Sequence, residues 1–273
     1  MSVSVIIPVY NDEEYVGTLL DSLTKQTEKD FEVIVIDDES KDNAVNIVKQ
    51  FVDKLDLKLL SSGKHNQSYS RNLGIKSAKG DILVNLDSDC AVNETFIEGI
   101  IEAFEKDNIE GLKVGENFAM DSLIEKVDHL RTMSIHKYQG YTQTVRVFKK
   151  GYMYDDDLVC FGDDFVIHRK IKGKIGYTKK SMIISHRFHS WADIVRSWKR
   201  YPSGFVYYSK YENPLKGFVP LLFPLISPFA TVIALIKYKD PIALLIPVYD
   251  IVRSASYLYG MITNPRQMFE GMK

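Results

Sequence analysis

An Asp-x-Asp pair that follows an apolar run is the first feature of this sequence that could do chemistry. Residues 82–86 form a short apolar run typical of a buried strand, and Asp87-Ser88-Asp89 comes directly after it. Two carboxylates in that position can hold a hard divalent cation, Mg²⁺ or Mn²⁺, against phosphate oxygens. Such a cation would neutralise a diphosphate leaving group. Because Asp-x-Asp also occurs in ordinary turns, the surrounding elements decide its interpretation.

The elements that must position this pair alternate along the first hundred residues. We predict strands at 3–9, 31–36, 58–61 and 82–86, and helices after residue 12, at about 43–54 and at about 68–78. Asn11 or Asp12 can cap the first helix. This alternation predicts an α/β fold with a mostly parallel, Rossmann-like sheet and helices on both faces. Ligands bind outside the carboxyl ends of such strands, at Tyr10-Asn11, Asp37-Asp38 and Asp87-Ser88-Asp89.

The first helix should pack on this sheet through one apolar face. The residues predicted to form that face are Val16, Leu19, Leu20 and Leu23. Further helices are predicted at 93–106, 121–138, 162–172 and 191–200, with strands at 144–148 and 182–185. A boundary near 211–215 divides a catalytic domain at 1–210 from a hydrophobic helical segment at 211–273.

The last sixty residues are unusually apolar. A run of 20 residues at 217–236 carries no charge, and residues 241–262 contain only Asp250 and Arg253 as charges. This length can span a bilayer. The prolines at 220, 224 and 228 favour a broken, re-entrant or interfacial segment at least as strongly as a clean span, and a buried hairpin of core helices is the alternative. We predict that this C-terminal segment associates with a membrane.

Composition limits the class of protein. Two cysteines among 273 residues exclude a disulfide framework or a cysteine-rich zinc site, and 45% hydrophobic residues exclude disorder.

Charge is unevenly distributed along the chain. Residues 1–165 contain 18 Lys/Arg against 31 Asp/Glu, whereas residues 166–273 contain 17 Lys/Arg against 5 Asp/Glu. The basic part accompanies apolar runs rather than a nucleic-acid motif, so a membrane is the expected partner and nucleic acid is not. The N-terminus has no signal-peptide pattern, so we expect the cytoplasmic face.

Several short segments together carry a resemblance to a known family. They are Ile6-Ile7-Pro8-Val9-Tyr10-Asn11, Val35-Ile36-Asp37-Asp38-Glu39-Ser40, Arg71-Asn72-Leu73-Gly74, Lys79-Gly80-Asp81, Leu86-Asp87-Ser88-Asp89 and Gly162-Asp163-Asp164. In this order they resemble family 2 glycosyltransferases over about two thirds of the chain. The resemblance implies the A-type glycosyltransferase fold (GT-A), a nucleotide-sugar donor, Mn²⁺ or Mg²⁺, and inversion at the anomeric carbon.

The resemblance also implies a donor site. Its nucleotide-sugar-binding residues would be Pro8, Tyr10, Glu13, Asp37, Asp38, Arg71, Asp87 and Ser88. Of these, the first three would line the base and ribose pocket, and Asp37 or Asp38 would accept a hydrogen bond from the base. Arg71 would approach the diphosphate, and an arginine in the first turn of a helix at this edge suits a phosphate in any family. Alternatively, the aspartates form a turn and Arg71 a surface ion pair.

The family's catalytic base corresponds to Asp164. Relatives commonly carry Glu-Asp here, whereas this chain has Asp163-Asp164 after Gly162. Asp164 would remove a proton from an acceptor hydroxyl as that oxygen attacks the anomeric carbon. The alternative is a helix cap.

The metal site implied by the resemblance consists of Asp87, Asp89 and a histidine. His186 matches the family position better than His189, and a structural histidine is the alternative. Just beyond it, the segment 191–200 combines two tryptophans with basic residues, which suits an anionic membrane interface or packing over the site.

Together these features predict a metal-dependent inverting glycosyltransferase. It would transfer sugar from a UDP- or GDP-sugar donor to a hydroxyl of a lipid-linked or surface-glycan acceptor. One alternative is a polyprenyl-phosphate sugar synthase, whose phosphate acceptor needs no general base. Another is a non-catalytic membrane-bound module that binds nucleotides or glycans, and the acidic residues argue against it.

Overall fold

The computed structural model describes residues 1–135, 142, 144–156, 158, 163–186, 190–200, 202, 212 and 214–263. The chain forms two compact units. Unit 1 comprises residues 1–117 and 140–185, and unit 2 comprises residues 118–139 and 186–273. Each unit has an apolar core of its own. The boundary at residue 210 that the sequence suggested stays a prediction.

Unit 1 is built on an eight-stranded sheet. Its strands are β1 (Val3–Val9), β2 (Phe31–Asp37), β3 (Asp56–Ser61), β4 (Ile82–Asn85), β5 (Cys90–Val92), β6 (Gly111–Phe118), β7 (Val147–Lys149) and β8 (Ile175–Ser185), in the spatial order β3-β2-β1-β4-β7-β6-β8-β5. The first four strands are parallel, and β7 runs antiparallel to β4 and β6. The predicted mostly parallel α/β fold is therefore confirmed.

The helices flank this sheet in unit 1 and make up most of the described part of unit 2. They are α1 (Val16–Thr24), α2 (Ala44–Lys49), α3 (Gln67–Ser77), α4 (Phe96–Lys106), α5 (Leu123–Ile135), α6 (Asp163–Lys170), α7 (Trp191–Arg200), α8 (Phe223–Tyr238) and α9 (Ile246–Thr263). Two 3₁₀ helices, Pro214–Leu222 and Pro241–Leu245, precede α8 and α9.

Strand β1 shows why the parallel strands are continuous apolar runs. Its residues are all buried, and successive side chains enter different cores: Val5 and Ile7 pack in one cluster with α1, whereas Ile6 packs in another with Ile34 and Ile75. Side chains alternate between the two faces of a strand, so a sheet covered on both faces needs apolar residues throughout. The predicted apolar face of α1 is confirmed, because its four residues are fully buried.

Two details of the predicted elements are wrong. Neither Asn11 nor Asp12 caps α1, which begins at Val16 with Tyr15 before it and no side-chain cap. Asn11 instead takes a left-handed φ of 49° and accepts a hydrogen bond from the Lys41 amide at 2.7 Å. Helix α2 ends at Lys49 rather than near residue 54.

Strands β5 and β6 have no counterpart in the sequence prediction. The first is three residues long, and the second contains two glycines and two charged residues within a mostly buried stretch. Neither shows the apolar alternation on which strand prediction depends. Both form because neighbouring strands pair with them, which is a tertiary effect.

Unit 2 is a helical unit that contains the apolar C-terminal helices. Its core is formed by residues of α5, α7, α8 and α9, including Val127, Ile194, Ala230 and Tyr249. The apolar helical segment expected from the sequence is therefore present. Two stretches, Leu215–Tyr238 and Pro241–Thr263, are long and apolar enough to cross a membrane by length and composition.

Candidate active site

The carboxyl ends of three neighbouring parallel strands bring the predicted site residues of unit 1 to one edge. Strand β1 lies between β2 and β4, and Tyr10, Asp37 and Asp87 stand at or just beyond the ends of these strands. Parallel strands all end on the same side of a sheet, so this convergence follows from the strand order.

Helix α3 brings Arg71 to the same edge. Asn66 caps the helix by accepting a hydrogen bond from the Tyr69 amide at 3.0 Å. The helix lies so close to the sheet that a Cβ on Gly74 would be 2.5 Å from Ile6 Cγ2. Because α3 begins at Gln67, Arg71 lies in its second turn, so the expectation of a first-turn arginine is wrong.

Arg71 and Arg146 each bridge Asp87 and Asp164. Arg71 donates from Nη2 to Asp87 Oδ1 and from Nη1 to Asp164 Oδ1, the latter at 3.0 Å. Arg146 Nη2 lies 3.0 Å from Asp87 Oδ2, and Arg146 Nη1 lies 2.9 Å from Asp164 Oδ2. The two carboxylates named for donor binding and for the catalytic base are thus held side by side. We call these four residues the Arg–Asp ring.

The Arg–Asp ring is stabilised by opposite charges in a partly buried place. Arg71 is only 1% exposed. Burial alone would raise the pKa of Asp87, but the charges of Arg146 and Arg71 outweigh burial and lower it. Burial alone would lower the pKa of Arg146, yet Asp164 and Asp87 raise it above its ordinary value. Removing one member would leave its partners buried with unbalanced charge, which costs far more than losing a surface pair.

Sequence reasoning missed Arg146. It precedes β7, whose antiparallel pairing with β4 brings the start of β7 to the end of β4, and the Asn85 amide donates to the Arg146 carbonyl at 2.9 Å. The local signal was a single arginine in an otherwise apolar alternating segment. That signal does not show which strand the segment pairs with, and the pairing is what puts Arg146 at the site.

Asp37 and Asp38 have different surroundings. Asp38 is 5% exposed, and its Oδ1 accepts hydrogen bonds from the Ser62 and Ser70 hydroxyls at 2.6 and 2.8 Å. Asp37 is only partly buried, and its Oδ1 accepts the Ser40 amide at 3.1 Å in the turn that was the alternative interpretation. Asp37 is therefore the more accessible of the two to a ligand.

Tyr10 lies against a histidine that the sequence did not single out. The Tyr10 and His65 ring centroids are 4.0 Å apart and the rings are tilted by 48°. His65 Nδ1 is also 3.6 Å from Asp38 Oδ2. Asp38 thus lies close to the histidine of this pair. The tyrosine and histidine rings offer an aromatic surface of the kind on which a nucleotide base can stack.

Glu13 and Pro8 take part in the local structure around the strand ends. Glu13 Oε2 accepts the Asn43 amide at 2.8 Å, and the Glu13 amide donates to Asp42 Oδ2 at 2.8 Å. Pro8 is buried in β1, paired with Ile36 of β2. Their roles in nucleotide binding stay predictions.

The Asp87-Ser88-Asp89 segment has the donors that a hard cation needs. Burial raises the pKa of Asp89 well above its usual range, and the charges of Asp87 and Asp12 raise it further. Ser88 hydrogen-bonds Asp12. Among the described residues, no group of three or more His, Cys, Asp or Glu is arranged to hold a metal. Mg²⁺-like ions need only one or two carboxylates when substrate phosphates complete the shell, so Asp87 and Asp89 fit such an ion.

His186, Gly162 and His189 are the remaining residues that the sequence singled out. His186 belongs to unit 2, where its Nδ1 is 3.8 Å from Glu125 Oε1 and 3.9 Å from Asp121 Oδ2. Its assignment as a metal ligand stays a prediction. Gly162 and His189 lie outside the described residues.

The sheet defines an α/β protein, a class in which ligands bind at the carboxyl ends of parallel strands. The chain belongs to glycosyl transferase family 2, because the sequence model of that family matches residues 4–171. Poly(ribitol-phosphate) beta-N-acetylglucosaminyltransferase TarS of Staphylococcus aureus is 40% identical over 98 residues, which cover 34% of this chain and 17% of TarS. The resemblance to the family is confirmed, although the matched segment is a small part of that relative.

Solved structures share this fold. TarS residues 1–349 of S. aureus, in complex with UDP-GlcNAc, align with a TM-score of 0.55 at 18% identity, covering 99% of this chain and 79% of that chain. Mannosyltransferase PcManGT from Pyrobaculum calidifontis, in complex with GDP-Man and Mn²⁺, aligns with a TM-score of 0.58 at 18% identity, covering 94% of this chain and 87% of that chain. The GT-A-like fold expected from the sequence is confirmed.

Proposed function

We propose that this protein is a metal-dependent inverting glycosyltransferase that moves a sugar from a UDP- or GDP-sugar to a hydroxyl of a lipid-linked or surface-glycan acceptor. The observation that carries the proposal is the Arg–Asp ring at the carboxyl edge of the sheet. In this ring both guanidinium groups contact Asp87, a predicted metal ligand. Both also contact Asp164, which corresponds to the catalytic base of the family. UDP-GlcNAc is the first donor to test, because TarS was solved with it.

Each residue has a definite task in this proposal. Tyr10 and His65 form a surface for the base, and Asp37 accepts a hydrogen bond from it. Arg71 and Arg146 bind the diphosphate oxygens, which guanidinium groups contact in bidentate fashion. Asp164 takes the proton from the acceptor hydroxyl as that oxygen attacks from the face opposite the nucleotide.

The metal would be held by Asp87 and Asp89. When bound, Mn²⁺ or Mg²⁺ supplies positive charge that stabilises the departing diphosphate. Burial and then the charges of Asp87 and Asp12 raise the pKa of Asp89, and a bound cation would favour the ionised carboxylate against these effects. In relatives of this fold, PcManGT was solved with Mn²⁺.

The Arg–Asp ring also couples donor binding to the base. Both carboxylate oxygens of Asp164 are paired with the two arginines. A diphosphate that contacts Arg71 and Arg146 competes for the same guanidinium donors, so its arrival frees a carboxylate oxygen for the acceptor hydroxyl. This coupling predicts that the donor binds before the acceptor.

A panel of nucleotide sugars tests the proposal. The purified chain is incubated with each UDP- and GDP-sugar, Mn²⁺ or Mg²⁺ and a membrane lipid extract, and nucleotide release is measured. We expect release with one donor and its loss on adding EDTA. Nucleotide binding without metal-dependent release from any donor would favour the non-catalytic module instead.

The Asp164→Asn variant separates a hydroxyl acceptor from a phosphate acceptor. Without its general base, the enzyme should lose about 10²-fold or more of its kcat. Turnover close to wild type would contradict the hydroxyl acceptor and favour polyprenyl-phosphate sugar synthesis. Asp155→Asn is the matched control, since Asp155 pairs with Lys170 at 2.8 Å outside the Arg–Asp ring.

A further inference from the structure

Helix α8 exposes its large apolar residues and buries its small ones. Leu225, Phe229, Val232 and Ile236 recur every three or four residues on one face, and Leu225 and Phe229 are 78% and 69% exposed. The buried face consists of Ser227, Ala230, Thr231 and Ala234. A helix that packs into a water-soluble core shows the reverse distribution, with its large apolar residues inside.

Helix α9 has the same inverted distribution. Val248, Ile251, Leu258 and Ile262 recur at helical spacing and are exposed, Ile262 to 69%. Its buried face carries Tyr249, Asp250, Arg253, Ser256 and Tyr257. Polar groups therefore lie inside unit 2 beside Ile246 and the two tyrosines, while these four aliphatic side chains point away from it. We call the two exposed stripes the apolar face.

The buried polar groups bind α9 firmly to its neighbours. Arg131 of α5 contacts Asp250 Oδ1 at 2.7 Å, and Tyr249 donates to Asp128 of α5 at 2.5 Å. The Arg253 guanidinium lies 4.0 Å from the ring centroid of Trp198 in α7. Helices α8 and α9 also pack on each other and on α5.

This packing argues against α8 and α9 crossing a bilayer. Helices α5 and α7, against which they pack, carry charges that hydrocarbon excludes, such as the exposed Lys126 and the 73% exposed side chain of Arg196. If α9 crossed the membrane, these charged helices would be drawn in with it. One side of the helical pair is therefore covered by water-compatible helices, and the other is apolar.

Basic residues border the apolar face. Lys237 and Lys239 are exposed at the end of α8, and the Lys199 ammonium lies 4.5 Å from the ring centroid of the exposed Tyr259. Lysines and tyrosines suit the headgroup level of a membrane, where the ammonium reaches phosphates and the ring stays in the interface. Residues 118–139 and 186–273, which form unit 2, contain 14 Lys/Arg against 8 Asp/Glu, and this excess is complementary to anionic lipids.

We propose that unit 2 docks on the surface of an anionic membrane with α8 and α9 lying in its plane, the apolar face inserted among the acyl chains and the helices not crossing the bilayer. Inserting several exposed apolar side chains supplies the binding free energy, and the lysines add attraction to anionic headgroups. The proposal concerns where the protein binds and is independent of the sugar-transfer reaction.

Vesicle flotation tests the docking. The full chain is mixed with vesicles of phosphatidylcholine alone or with 30% phosphatidylglycerol and centrifuged through a density gradient. We expect flotation that is stronger with the anionic lipid. In Leu225→Glu/Phe229→Glu, binding should fall at least about tenfold because two inserted side chains are lost. Tyr177→Glu on β8 is the control, since Tyr177 is also 57% exposed and should not matter.

Absence of flotation, or flotation unchanged in the double variant, would overturn docking through this face. The same variant is measured by light scattering, because a second copy of the chain is the competing occupant. If wild type is a dimer that fails to float and the variant is a monomer, the apolar face is a dimer interface and the proposal is wrong.

Labelling decides between lying in the plane and crossing. Lys239 lies between α8 and α9, so a hairpin that spans the bilayer would carry it to the far side. Lys239→Cys, in a chain with Cys90 and Cys160 changed to Ala, is bound to sealed vesicles and treated outside with a membrane-impermeant maleimide. We expect labelling as complete as that of Ser190→Cys, an exposed position before α7. Protection of Lys239→Cys until detergent is added would overturn the in-plane arrangement.

Discussion

At the scale of single residues, Arg146 has the largest consequence for the proposed reaction. It contacts both Asp87 and Asp164, so it helps to set the distance between the donor-binding carboxylate and the base position. A planar guanidinium can reach two carboxylates at once, whereas the ammonium of lysine is a single point of charge. Arg146 is therefore expected to act through geometry as well as charge.

Arg146→Lys tests that geometry. We expect kcat to fall by about 10²-fold, as when one charge-stabilising donor is removed from a site, and Arg146→Gln to do no better. Donor KM and kcat are measured together, with circular dichroism to verify folding. Arg169→Lys, an exposed position on α6, is the control. Wild-type kcat and KM in Arg146→Lys would show that the Arg–Asp ring is dispensable.

At the scale of elements, the position of Arg71 depends on how closely α3 packs on β1 and β2. Gly74 lies one turn after Arg71 and faces the sheet, where an added Cβ would be 2.5 Å from Ile6 Cγ2 and 2.8 Å from Ile36 Cδ1. Both isoleucines are fully buried, so neither can move without disturbing the core. A glycine at this position lets the helix bring its arginine to the edge of the sheet.

In Gly74→Ala, overpacking should cost about 1–3 kcal/mol of the free energy of unfolding. Alanine in a helix offsets about 1 kcal/mol of this cost, so the net loss should be up to about 2 kcal/mol, whereas a tolerated Gly→Ala change elsewhere should stabilise the protein. Chemical denaturation measures it. Gly17→Ala in α1 is the control, because its Cβ would be 3.3 Å from Ile47 Cγ2 and should be tolerated. Equal stability of both variants would contradict the close approach of α3.

At the scale of the whole molecule, the two units have separate cores and separate tasks. The Arg–Asp ring and the residues predicted to bind the nucleotide all lie in unit 1, whereas the buried charges of unit 2 hold its helices together. A change confined to those buried charges should therefore alter stability without altering the nucleotide site.

Asp250→Asn tests this separation. It leaves Arg131 buried without its carboxylate partner, which should cost about 3–5 kcal/mol and lower the melting temperature. UDP affinity, measured by calorimetry below the transition, should be unchanged. Asp240→Asn is the control, since Asp240 caps a 3₁₀ helix and asparagine caps equally well. A loss of UDP affinity in folded Asp250→Asn would contradict separate roles.

Local patterns in the sequence were sufficient for much of the fold. The apolar β-branched run of β1 and the apolar face of α1 depend on the period of each element, which neighbouring residues determine. The same patterns placed Tyr10, Asp37 and Asp87 at one edge, because parallel strands end on the same side of the sheet.

Other properties depended on contacts between distant parts of the chain. Arg146 meets Asp87 and Asp164 only because β7 pairs with β4, and Asp38 rather than Asp37 is enclosed only because Ser62 and Ser70 reach it. The apolar runs near the C-terminus fitted a spanning or an interfacial segment equally. Which faces α8 and α9 bury was decided by the tertiary structure, because a periodic pattern specifies a stripe on a helix but not what covers it.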